Sequence, residues 1–266
     1  MSLLVTQAMV LHAFDYLETS RVLRLLTRES GLQSVLAKGA RRTRGRVGTG
    51  VDLFAEGEAQ LYVKPTRDLQ TLASFDVSRS RTALALDMRR FTAASAIAEL
   101  VLRIAGDEPN PALFDSVSSS LDDIALATDD AIVARALAGA WRVVAAAGFA
   151  PALDDCANCH TPVPSDDAVS FSHPAGGALC AGCGRLAATA RKLPADARGL
   201  LRGWLADADA VHIEVPVEVQ PMDPASARAH QRLLREFLRE HLSDDRPLRA
   251  FAAWETGFGS SAEPVQ

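Results

Sequence analysis

The rhythm of apolar and polar positions changes once along this 266-residue chain, near Arg81. Before it, short runs rich in Val, Leu, Phe and Tyr occur at residues 5–14 (VTQAMVLHAF), 21–27, 32–40, 56–63 and 69–77, several of them partly alternating. Period-two alternation marks strands with one buried face. The segments RESG and KPTRD, punctuated by Gly31 and Pro65, predict hairpin connections. Five short strands in so few residues point to a small barrel of the OB type. A plain β-meander would have the same strand count.

From Arg81 the period becomes helical. Leu84, Met88, Phe91, Ala94 or Ser95, Ala98 and Leu102 fall on one face of a helix over residues 81–106, which Gly106 and DEPNP end. A second helix is expected over 111–127, with Pro111 near its start. A third is expected over 129–148, capped by Asp129 or Asp130 and closed by Gly148. Residues 194–208 resume the helical pattern. Residues 223–242 give the last long helix, with Leu233, Leu234, Phe237, Leu238 and Leu242 on one stripe and Arg232, Arg235, Arg239 and Glu240 facing away. The expected fold is thus α+β: an OB-fold barrel over 1–80, a helical domain over 81–255 with an insert at about 150–187, and a flexible tail over 256–266.

The insert holds all the chemistry that spacing reveals. Cys156, Cys159, Cys180 and Cys183 are the only cysteines, arranged C-x₂-C-x₂₀-C-x₂-C. Two such turns present four sulfurs to one ion, so the expected cofactor is Zn²⁺ in a ribbon, one per chain. Gly176, Gly177, Gly182 and Gly184 are expected to supply the backbone freedom that tight knuckles need. CANCH, residues 156–160, also matches a haem-attachment pattern, but haem would leave Cys180 and Cys183 without a role. A thioredoxin-like site expects one C-x-x-C after a strand, not two pairs in a Gly/Pro-rich insert. His160 and His173 read as surface residues. Four thiolates fill a tetrahedral shell, so the metal is expected to be structural and not catalytic.

Charge sharpens this picture through its distribution. Net charge is −5, yet residues 1–80 carry eleven Lys+Arg against eight Asp+Glu, and the remainder seventeen against twenty-five. The positive end contains KGARRTRGR, where Lys38, Arg41, Arg42, Arg44 and Arg46 stand in nine residues without an acid. Clustered cations and glycines between strands suit phosphate oxygens. Lys64 and Arg67, in the later hairpin, extend the patch. Twenty-five arginines against three lysines weaken the evidence of any single arginine. Stacking aromatics are few in the barrel: Phe14, Tyr16, Phe54 and Tyr62, most of them expected in the core.

The N-terminus lacks a signal-peptide pattern, and no apolar run approaches membrane length, so a cytoplasmic protein is expected. No GxxxxGK[ST], GxSxG or HExxH occurs, and no GxGxxG opens a predicted βαβ unit. The paired acids Asp129–Asp130 and Asp154–Asp155 read as caps and solvated turns, so no enzyme is expected.

Several stretches together resemble the bacterial recombination mediator RecO family. They are AMVLHAFDYLETSRVLRLLTRESGLQSVLAKGARR, the CANC…GGALCAGC pair, and LLREFLREHLSDDRPLRA, where Ala250 stands in place of a usual serine. The resemblance spans about residues 5–255. It implies an OB-fold, a helical domain and an inserted zinc ribbon. It further implies binding of single- and double-stranded DNA, strand annealing, and help in loading recombinase onto strands covered by single-strand-binding protein. The implied partners are RecR and the acidic C-terminal tail of single-strand-binding protein, in a nucleoid-associated setting. Arg103, Arg135 or Arg142 would supply a cation for that tail.

Overall fold

The computed structural model describes residues 2–40, 51–64, 66–164, 167–206, 221–242 and 246–257. Arg41, Arg42, Arg44 and Arg46, and residues 258–266 of the expected tail, lie outside the described residues.

Five strands, β1 (Ser2–Tyr16), β2 (Ser20–Thr27), β3 (Gly31–Ala37), β4 (Glu56–Val63) and β5 (Leu69–Arg79), close into a barrel in the order β1-β2-β3-β5-β4. The long β1 serves two neighbours. Ser2–Met9 pair with Val63–Glu56 of β4, and Ala8–Tyr16 pair with Thr27–Ser20 of β2. Its register shifts between Val10 and His12, a bulge that bends the strand from one partner to the other. A short parallel ladder, Ser34–Leu36 against Leu69–Thr71, completes the closure. Ala8, Val10, Leu23, Leu25, Val35, Ala37, Ala59, Leu61, Leu72 and Phe75 fill the barrel as a core of their own. At the β2–β3 turn Gly31 sits at φ 57°, and a Cβ there would lie 2.5 Å from the carbonyl oxygens of Gly106 and Glu108. Only glycine satisfies both constraints.

Four helices follow: α1 (Thr82–Leu86), α2 (Met88–Ile104), α3 (Pro111–Leu126) and α4 (Ile132–Ala146). The single helix expected from Arg81 is broken at Asp87, whose extended backbone frees its carboxylate to cap α2 through the N–H groups of Arg89 (2.8 Å) and Arg90 (3.2 Å). Asn110 caps α3 by accepting from Leu113 N–H at 2.9 Å, with Pro111 in the first turn. The expected cap of α4 is absent: Ala131 stands at that position, and Asp129 instead bridges Arg89 (2.7 Å) and Arg90 (3.1 Å). Gly148 does end α4, at φ 90°.

The insert forms a three-stranded sheet, β7-β6-β8, from β6 (Val169–Ser172), β7 (Gly177–Leu179) and β8 (Arg191–Leu193), with the short α5 (Ala181–Leu186) between β7 and β8. Then come α6 (Ala195–Ala206), α7 (Pro224–His241) and α8 (Arg249–Gly257). On α7, Leu234, Phe237 and Leu238 are buried and Leu233 and Leu242 are partly so, as the stripe requires. The sequence pattern did not reveal α8. Glu99 of α2 starts it, accepting from the backbone N–H of Arg249 (2.8 Å) and Phe251 (3.0 Å), while Phe251 and Trp254 bury their rings.

The insert is not a free module. Phe171 of β6 lies 6.3 Å from Phe237, which lies 5.2 Å from Trp141 of α4, so one core runs from the sheet into the helices. Barrel and helices are joined at Arg81. Its buried guanidinium donates to Glu56 (2.8 Å), Asp122 (2.7 Å), the Ser118 hydroxyl (2.9 Å) and the Phe54 carbonyl (3.0 Å).

Candidate functional site

Two hydrogen-bonded knuckles bring the cysteines together. In the first, His160 N–H donates to the Cys156 carbonyl at 2.8 Å, and Cys156 N–H donates to Thr161 at 2.9 Å. In the second, Cys180 caps α5 and Gly184 N–H returns to the Cys180 carbonyl at 2.8 Å. The four Sγ atoms lie within 4.8 Å of one another, and Cys159 and Cys180 are 3.7 Å apart. A tetrahedron with metal–sulfur bonds of 2.3 Å has edges of about 3.8 Å, so the cluster fits a tetrahedral ion. The same separation is far beyond a sulfur–sulfur bond of about 2.05 Å.

The thiols are electrostatically in conflict. Burial resists ionisation of Cys156, but the backbone N–H groups of Cys180, Cys159 and Asn158 outweigh it and bring that thiol down to about 6. Cys159 is also lowered, first by its bond to the Thr161 hydroxyl. Cys183 is driven up to about 12 by its contacts with Cys180, Cys159 and Cys156. Like charges in one small volume cannot all form without a cation among them.

The glycines of this unit act mainly through space. Only Gly176 has a left-handed backbone, at φ 78°. A Cβ on Gly177 would lie 2.3 Å from the Ala152 carbonyl oxygen, and one on Gly184 would lie 2.6 Å from the Ser170 hydroxyl. Nothing crowds Gly182, whose Cβ would meet only Cys180 Sγ at 3.8 Å.

Two residues supporting the knuckles were not recognised in the sequence. Arg198 of α6 is fully buried and donates to the carbonyls of Leu153 (3.0 Å and 2.5 Å), Val163 (3.2 Å), Asp167 (3.4 Å) and Pro164. It ties both arms of the first knuckle to the helix. Its signal was an arginine on the same helical stripe as Leu201 and Leu205. His173, expected at the surface, is buried at 7% exposure. Its Nε2 stands 3.2 Å from Glu236 of α7, and its carbonyl meets His241 Nε2 at 3.0 Å. Burial lowers its affinity for a proton, against the pull of Glu236 and Glu240. His160 is exposed, as expected.

On the barrel the positive charge divides into two groups. Arg28 forks onto Asp115 of α3, Arg79 meets Asp122 at 2.5 Å, and Arg21 meets Asp15 at 3.1 Å. These cations are occupied in holding the fold. Lys38, Lys64, Arg67 and Arg24 have no ion-pair partner among the described residues. Lys38 follows β3, and Lys64 and Arg67 lie in the β4–β5 turn, braced by the Gln70 side chain on the Lys64 amide at 2.8 Å. Of the four barrel aromatics expected mostly in the core, only Phe54 is buried; Phe14, Tyr16 and Tyr62 are exposed.

In the helical region Arg142 is paired with Asp123 at 2.5 Å, and Arg103 donates to the Arg246 carbonyl at 2.5 Å. Arg135 and Arg142, both on α4, are seven residues apart and share a face. No described helix is long and apolar enough to cross a membrane.

Residues 1–81 match the family model described as Recombination protein O N terminal, and residues 85–250 match Recombination protein O C terminal. The chain is similar to the DNA repair protein RecO of Anaeromyxobacter sp. (strain K), at 36% identity over 244 residues, 91% of this chain and 92% of the relative. The DNA repair protein RecO of Anaeromyxobacter dehalogenans (strain 2CP-1) gives the same identity over the same length. With both halves of the chain matched and a relative aligned over nearly its full length, the protein belongs to the RecO family of DNA repair proteins.

Proposed function

We propose that this protein is a non-catalytic recombination mediator. It binds single- and double-stranded DNA through Lys38, Arg41, Arg42, Arg44, Arg46, Lys64 and Arg67, and it anneals complementary strands. The observation that carries this reading is that Lys38, Lys64 and Arg67 have no carboxylate partner among the described residues, on a chain whose remainder is acidic. Such asymmetry lets one face hold a strand while the rest repels backbone. Phosphate contacts carry no sequence information and leave the bases free to pair. Holding two strands close raises their encounter rate without an acid, a base or a hydrolytic metal.

Cys156, Cys159, Cys180 and Cys183 hold one Zn²⁺, which contributes folding energy to the insert. Family membership supports further partners, RecR and the acidic C-terminal tail of single-strand-binding protein, and a role in loading recombinase onto strands covered by that protein. The work takes place in the cytoplasm, at the nucleoid.

If the five cations from Lys38 to Arg46 each neutralise one phosphate, log K on single strands falls with log salt at a slope of roughly −3.5. The Arg42→Ala/Arg44→Ala variant is expected to reduce that slope by roughly 1.4 and to weaken all sequences alike. Wild-type affinity and slope in this variant would remove Arg42 and Arg44 from the binding residues.

Annealing is tested by mixing labelled complementary strands, bare or covered by single-strand-binding protein, without nucleotide. Pairing faster than the protein-free control is expected in both cases. Pairing at the control rate would defeat the mediator reading, and strand cleavage in magnesium would replace it with a nuclease.

A further inference from the structure

The outer face of β1, β2 and β3 carries three rings that the described residues leave uncovered. Beyond the bulge, β1 places His12, Phe14 and Tyr16 on alternate positions, all exposed, Phe14 at 47% and Tyr16 at 44%. The ladder sets Arg24 opposite His12, Val22 opposite Phe14 and Ser20 opposite Tyr16. On the next strand Ser34 stands opposite Arg24 and Leu36 opposite Val22. The intervening residues Leu23, Leu25, Val35 and Ala37 fill the barrel, and of the outer set only Val22 is buried, at 6% exposure. The His12 and Phe14 rings lie 5.9 Å apart, tilted by 51°.

The hairpin at the end of this ladder is unusual in the same direction. Leu17 holds φ 55°, a left-handed backbone that leucine disfavours, and is 76% exposed. It borders a shallow depression of about 390 Å³ lined by Tyr16, Leu17, Ser20, Leu36 and Lys38. The turn between β1 and β2 takes this left-handed residue, and its exposed side chain adds apolar surface beside Tyr16.

We infer that the His12–Phe14–Tyr16 ladder is a base-stacking platform that selects unpaired DNA. This rests on the DNA-binding reading above and adds to it a discrimination that cations alone cannot make. Cations meet the phosphates of single strands and duplexes alike. Ring faces require access to base faces, which a duplex keeps stacked inside.

Alternate residues on a strand are about 6.7 Å apart. That is about twice the 3.4 Å rise per nucleotide of a stacked strand. Successive rings therefore suit a strand stretched so that its bases separate and stack one to a ring. Charge favours this occupant over a protein. Arg24 lies in the first row, donating to the Ser34 hydroxyl at 3.0 Å, and Lys38 edges the depression. The basic run from Arg41 to Arg46 continues along the chain from there. The nearby Asp15 is tied to Arg21 at 3.1 Å.

The test compares the wild-type protein with Phe14→Ala/Tyr16→Ala on an oligothymidylate and on a duplex of equal length, across a salt titration. The double variant is expected to lose roughly tenfold per ring on the single strand. Its duplex affinity should stay within about twofold of wild type, and its salt slope should not change, since no charge is removed. Tyr16→Phe, which keeps the ring, is expected to retain single-strand binding, separating stacking from any folding defect. A double variant that binds single strands as wild type does, or loses both substrates equally, overturns the platform and leaves the cationic reading standing. A wild-type protein that binds neither substrate overturns both.

Discussion

Replacing Cys156 by serine is expected to abolish binding of the proposed zinc ion and to unravel the cysteine unit while the barrel stays folded. Serine keeps the size of the buried side chain but not the thiolate. The remaining three sulfurs would leave an open, water-accessible coordination position. Structural zinc contributes apparent free energies of about 10–16 kcal/mol in small peptides. Here part of that is replaced by Val169, Phe171, Leu179 and Leu193, which are buried in the core shared with the helices. The damage should therefore reach α7 through the Phe171–Phe237 contact at 6.3 Å. The barrel core is separate and should be spared.

Hydrogen exchange reads this directly. The amides of Cys156, Ala157, Val163 and Ala178, which now donate across the unit at 2.7–2.9 Å, should lose protection. Those of β1–β5 should keep it. Undiminished zinc in the variant, or equal loss of protection in the barrel, would refute the expectation.

Arg81→Met is expected to destabilise the protein by about 3 kcal/mol, near the lower bound for breaking a buried ion pair by removal of one partner. The Arg81 side chain is 2% exposed and Glu56 12%, so Glu56 would be left charged and poorly solvated between barrel and helices. Arg79 moderates the loss, since it stands 4.0 Å from Glu56 and 2.5 Å from Asp122. For a chain of this length the melting midpoint should fall by about 6–12 °C. Adding Glu56→Gln should recover about 1 kcal/mol or more, because the two residues share one network. Chemical denaturation provides the measurement. A single variant within about 0.5 kcal/mol of wild type would show that the junction does not depend on this arginine.

The barrel strands, most of the helices and the four-cysteine cluster were legible in the sequence because each rests on local repetition. The five strand segments carried their own alternation and turn residues, and the two C-x₂-C turns are candidate ligand pairs whatever surrounds them. Asp87 was equally local, a capping residue inside an apolar period, but the period over residues 81–106 obscured the break. What escaped was decided by contacts between distant segments. α8 has only nine residues, too few for a clear period, and forms because Glu99 accepts its first amides from another helix. Asp129 looked like a cap until Arg89 and Arg90 came within reach from α2.

The same division holds for the site. Composition placed the excess positive charge in the first eighty residues, but it could not separate Arg28 and Arg79, which hold the helices, from Lys38 and Arg24, which have no carboxylate partner among the described residues. His173 is polar and sits beside a turn, so only the arrival of α7 over β6 buries it. Arg198 reads as one more arginine in an arginine-rich chain until four carbonyls converge on it. Periodicity and cysteine spacing are properties of neighbouring residues, so the sequence by itself determined the barrel strands, the long helices and the four-thiol cluster. The pairing of charges and the covering of rings belong to residues tens of positions apart, and the tertiary structure alone decided them.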